Sequence, residues 1–159
     1  MKDAKPEHLA VIRRMYDTEA TDARLYRMLA ERASSDENRQ ILERIASDEE
    51  KHMATWAQYV DGPPTISEVK VKFFAFLAKI FGVVFVINLM ELGEDDAVAV
   101  YSELGKNVPV ALDILEDESR HEEQLVNLIK EEKLSYISSM VLGLNDALVE
   151  LTGALAGFT

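Results

Sequence analysis

Asp48-Glu49-Glu50-Lys51-His52 and Asp117-Glu118-Ser119-Arg120-His121 share one pattern, Asp-Glu-x-x-His. Residues at i and i+3 lie on one face of an α-helix, so the Glu and His of each pair point the same way. Upstream of each pattern stands a Glu seven residues before a Tyr: Glu19 with Tyr26, then Glu94 with Tyr101. Two half-sites in the same order imply one shared site built from four helices. Glu19, Glu49, Glu94 and Glu118 would bring carboxylates to it, and His52 and His121 imidazoles.

The flanking sequence reads as helix nearly throughout, so the fold class is all-α. In the first helix, from near Pro6 to Ala33, Leu9, Ile12, Met15, Glu19, Tyr26 and Leu29 recur at helical spacing. Ser34-x-x-Glu37 has the form of a capping box and predicts the start of the second helix. That helix ends at Asp61-Gly62-Pro63-Pro64, where Pro cannot continue it. The third is expected from near Ser67 to Leu104-Gly105. Asn107 can cap the fourth, with Pro109 in its first turn, and this helix runs to about Leu134. The expected architecture is a four-helix bundle with a long apolar third helix and a C-terminal fifth helix.

The length of 159 residues suits one domain with a sizeable core. There are 29 acidic residues against 17 basic, a formal charge of -12, which argues against a nucleic-acid partner. With no cysteine, disulfides, thiol catalysis, Cys-ligated zinc and iron–sulfur clusters are excluded.

Four buried carboxylates are strongly disfavoured unless compensated, and two divalent cations would neutralise them. No Lys or Arg stands at a matching inner position. An oxygen-rich set with two imidazoles and no thiolate suits iron first and manganese second. The Asp that leads each motif is placed to orient a metal-binding His across the bundle: Asp117 for His52, and Asp48 for His121. Tyr26 and Tyr101, two turns beyond Glu19 and Glu94, are within reach of ligand carboxylates. Glu91, three residues before Glu94, is a candidate extra carboxylate.

Two stretches are unusually apolar. Residues 73–90 are interrupted by Lys79 and Asn88, and they predict burial in a long helix or a homodimer interface rather than membrane contact. Residues 136–158 form a second long run, with Asn145, Asp146 and Glu150 inside it. A span needs roughly 20 mostly apolar residues. The second run lies outside the four site helices and reads as the start of a membrane region that continues beyond Thr159.

From residue 6 to about 134 the chain resembles the rubrerythrin-like branch of the ferritin-like superfamily, on the six ligand positions in their order. The resemblance implies a ferritin-like di-iron domain over 1–134, with Glu19, Glu49, His52, Glu94, Glu118 and His121 as ligands and catalytic centre. Glu49 and Glu118 would bridge two iron ions. It departs from the family at Ala97, where rubrerythrins carry a further Glu, and it has no four-Cys rubredoxin module. Gly143-Leu144-Asn145-Asp146-Ala147-Leu148-Val149-Glu150 and the small residues after it are similar to the first membrane helix of vacuolar iron transporters. The pair of resemblances implies a membrane-bound ferritin: a cytoplasmic domain tethered through 135–159. Such a domain would oxidise Fe(II) with oxygen or hydrogen peroxide for an attached transporter. The alternatives are a peroxidase with an external electron donor, and a non-catalytic iron sensor.

Overall fold

The computed structural model describes residues 6–91 and 95–156. Among them the chain is all-α, with six helices and no strand. These are α1 (Pro6–Ala30), α2 (Asp36–Trp56), α3 (Glu68–Phe81), α4 (Val83–Glu91), α5 (Asp95–Gly105) and α6 (Val110–Ala156). α1 and α2 pack along each other, α3 rests on α1 and α4, and α6 packs on α2, α4 and α5.

The apolar residues gather into two clusters at opposite ends of this assembly. One contains Leu25, Leu29, Leu42, Ile45, Val86, Ile87, Leu125 and Leu128. The other contains Ile12, Met15, Tyr16, Trp56, Tyr101, Leu104, Ala111 and Ile114. Along α1, α2 and α6 the polar residues Glu19, Glu49 with His52, and Glu118 with His121 fall between the two. The clusters therefore close the polar layer off from above and below.

Helix starts follow from local chemistry, with one shift from expectation. Ser35, not Ser34, is the N-cap of α2: its hydroxyl accepts from the Asn38 N–H at 3.1 Å. The Ser34 hydroxyl bonds Glu132 on α6 instead. The connection from α2 to α3 is pinned to α1. Arg13 donates to the carbonyls of Asp61 and Pro63 at 2.9 and 2.7 Å, and Asp17 accepts from the Thr65 N–H at 2.8 Å.

The expected long third helix is broken at Gly82. α3 ends at Gly82, whose φ of 86° and ψ of 166° no helix accommodates, and α4 starts afresh at Val83. Residues 92–94, between α4 and α5 in sequence, lie outside the described residues. The fourth bundle helix begins at Val110, beyond Asn107, and does not stop near Leu134. No Pro interrupts it and it continues to Ala156, so the expected fifth helix is the far end of α6. From Lys133 to Glu150 every side chain that is described is exposed. No helix among the described residues is long and apolar enough to cross a membrane.

Candidate metal centre

Helical spacing places Glu49 and His52 on the buried face of α2, and Glu118 and His121 on the facing side of α6. Glu19 comes in from the middle of α1. Glu19, Glu49, His52 and His121 are buried, and Glu118 is partly open to solvent. Glu19, Glu49, His52 and Glu118 each present one donor atom within 4.8 Å of the others.

The two imidazole rings lie 5.8 Å apart, centroid to centroid. Both carboxylates between them straddle the pair. Glu49 sets Oε2 at 3.5 Å from His52 Nδ1 and Oε1 at 3.4 Å from His121 Nδ1. Glu118 sets Oε1 at 3.3 Å from His52 Nδ1 and Oε2 at 3.8 Å from His121 Nδ1. Glu19 Oε2 stands on the His52 side, 4.0 Å from Nδ1.

The outer nitrogens are held by the leading aspartates in a crossed manner. His52 Nε2 lies 3.1 Å from Asp117 Oδ2, and His121 Nε2 lies 3.3 Å from Asp48 Oδ2. Asp48 also accepts from Lys51 at 2.7 Å, and Arg120 pairs with Asp117. These contacts fix both rings with Nδ1 turned inward.

Neither inward Nδ1 makes a hydrogen bond, although both atoms are fully buried. Burial of a polar atom without a partner is costly, so such an atom calls for an explanation. A cation held there would explain it. Donors bound to one ion at about 2.0–2.2 Å stand roughly 3–4.4 Å from one another. The Nδ1-to-carboxylate distances fall in that range, and the N and O donor types suit a divalent transition metal.

Without a metal the cluster carries its own compensation. Burial alone would lower both imidazoles, but the Glu118 and Glu49 carboxylates outweigh it, raising His52 to about 10 and His121 to about 9. Burial would raise Glu49, yet its contacts with His121 and His52 bring it down to about 2. Glu19 is pushed well above the usual carboxylate range, by burial first and then by Glu49 and Glu118. Asp22, one turn beyond Glu19, is also raised by burial, against the pull of Lys70 at 2.6 Å.

Among the remaining sequence candidates, Tyr101 donates to Glu19 Oε1 and is therefore a contact across helices. Burial and the nearby Glu19 carboxylate raise its phenol, so it remains a donor. Tyr26 is buried in the apolar cluster with Leu25 and Leu29. Glu94 lies outside the described residues, as does the side chain of Glu91. Trp56 was not among the sequence candidates. It is fully buried, but its indole N–H also reaches Glu19 Oε1 at 3.4 Å. The available signal was its place four residues after His52, on the same face of α2.

No protein-family model, curated protein or solved structure matches this chain.

Proposed function

We propose that this chain is a ferritin-like di-iron carboxylate protein that binds two Fe(II) ions and oxidises them with oxygen or hydrogen peroxide. The observation that carries the reading is the straddling of two inward imidazole nitrogens by Glu49 and Glu118, each carboxylate giving one oxygen to each His. That arrangement suits two cations side by side. Glu19 with His52 would complete one position. The second would take His121 with Glu94, whose place in sequence matches that of Glu19 seven residues before its Tyr. By the same symmetry Tyr26 would serve Glu94 as Tyr101 serves Glu19.

Iron is the substrate here, and each Fe(II) supplies one electron. Two of them reduce one hydrogen peroxide, with two protons, to two waters, or one dioxygen, with two protons, to hydrogen peroxide. The protein's contribution is to hold two ions adjacent in a layer closed by apolar clusters, with their charge balanced by carboxylates. Asp48 and Asp117 orient the imidazoles, and the partly open Glu118 marks the side from which small oxidants enter. Delivery of the iron to an attached membrane transporter rests on the tail resemblance alone.

Anaerobic titration of metal-free protein with Fe(II), followed by oxygen or peroxide, tests the reading. About two irons per chain and a rise in near-ultraviolet absorbance on oxidation are expected, both lost in Glu49→Ala. Repeated peroxide turnover with an added reductant would reassign the chain as a peroxidase. Binding with no oxidation chemistry would leave a sensor, and absence of stoichiometric binding would sink the proposal.

A further inference from the structure

The apolar run over residues 73–90 is only half buried. Val71, Ala78, Val86, Ile87 and Met90 face inward, while Phe73, Phe76, Phe81 and Phe85 are each 44–60 % exposed. Phe73, Phe76 and Ile80 follow one another at helical spacing along α3. The rings of Phe81 and Phe85 lie 4.8 Å apart, joining α3 to α4 across Gly82. The result is one continuous aromatic face.

Its charge sets it apart from the rest of the chain. Residues 69–90 contain Lys70, Lys72 and Lys79 and no acidic residue, in a chain with a net charge of -12. Lys70 is paired with Asp22. Lys72 and Lys79 are exposed among the phenylalanines, and neither forms an ion pair among the described residues. A basic helix face with aromatic anchors suits a surface that offers both negative charge and an apolar layer.

We propose that the exposed face of α3 and α4 docks on an anionic lipid surface, with Phe73, Phe76, Phe81 and Phe85 entering the headgroup boundary and Lys72 and Lys79 meeting lipid phosphates. The acidic remainder of the chain is repelled by the same surface, which leaves this face to approach it. A second copy fits less well. A two-fold contact sets each patch against itself, bringing Lys72 and Lys79 near their own counterparts in a desolvated interface.

The test is flotation of the full chain with vesicles of phosphatidylcholine alone and of phosphatidylcholine mixed with phosphatidylglycerol. Binding to the mixed vesicles only is expected, weakening as salt is raised. Lys72→Glu with Lys79→Glu should weaken it at least about 30-fold, near fivefold for each lysine. Phe76→Ser should weaken it too. These side chains are exposed, so unchanged helicity by circular dichroism would confirm that the variants fold. Flotation with neither vesicle, or equally with both, would overturn the proposal. So would loss of binding in Met140→Ser or Leu144→Ser on α6 with the α3 variants unaffected. A dimer by light scattering that Phe76→Ser dissolves, with no vesicle binding, would assign the face to a second copy instead.

Discussion

His52 and His121 stay protonated to about pH 10 and about pH 9 because carboxylates surround their inward nitrogens. In the unfolded chain both titrate near 6.5. The stability they contribute is therefore complete below about 6.5 and is lost as pH rises through 9 to 10. Glu19 acts in the same direction but from a lower pH: its share is complete below 4.5 and is lost as pH rises above it. Glu49 acts oppositely. Its pKa falls from 4.5 to about 2, so its contribution is present above 4.5 and disappears as pH falls towards 2. Metal-free protein should accordingly melt highest near pH 4.5 and lose stability steadily on the alkaline side. Metal binding displaces protons from the imidazoles, so saturating Fe(II) under anaerobic conditions should remove the alkaline decline. Thermal melts of stripped and loaded protein across this range check both statements, and a flat alkaline limb without metal would contradict the first. Tyr101→Phe keeps the ring in its stack on Trp56 but removes the donor to buried Glu19. A loss of about 1–3 kcal/mol is expected in denaturant unfolding of metal-free protein, with no loss if the contact is incidental.

Gly82 separates α3 from α4 in a backbone region that is essentially confined to glycine. A Cβ added there meets nothing within 4 Å, so the cost of Gly82→Ala is conformational alone. A destabilisation of about 1–3 kcal/mol is expected. Gly143, in the middle of α6, also has open space around it but has helical neighbours and no positive φ. Gly143→Ala should therefore strengthen its helix locally by up to about 1 kcal/mol, seen as added helicity and not as a lower main melting temperature. Circular dichroism melts of the two variants check the contrast, which opposite signs would reverse. The same two glycines show what the sequence could and could not disclose. The ligand faces of α2 and α6 were legible because Glu-x-x-His fixes an i, i+3 pair wherever it is helical. The break at Gly82 was not, because the apolar run continues unbroken on both sides and hydropathy carries no dihedral angle. The α2 cap moved from Ser34 to Ser35 because adjacent serines compete for one role. The contact of Trp56 with Glu19 was not legible, since a buried indole can also hydrogen-bond. The length of α6 was missed because a change in composition near Leu134 was taken for a boundary, though nothing in the local sequence stops a helix there.

At the scale of the whole molecule, the site and the two apolar clusters form one cooperative unit, and the far half of α6 stands outside it. Glu132 ties α6 to its neighbours: it accepts from Asn38 at 2.9 Å and from Ser34. Beyond it Leu134, Tyr136, Ile137, Met140, Val141, Leu142 and Leu144 are all more than half exposed. Side chains that remain in solvent after folding contribute little hydrophobic stabilisation to the rest. An isolated helix of this length is marginal in water, so the extension takes its helicity from its continuity with the packed part of α6. Removing residues 136–159 should therefore leave the melting temperature within about 2 °C, a change below 1 kcal/mol for a chain of this size. Fe(II) binding should be unaffected, because every site contact described lies N-terminal to Glu132. Solubility should rise, because a long apolar surface is lost. Calorimetry and anaerobic Fe(II) titration of the shortened chain provide the check. A large fall in melting temperature, or loss of metal binding, would mean that the extension packs on the bundle in solution and that the site depends on it.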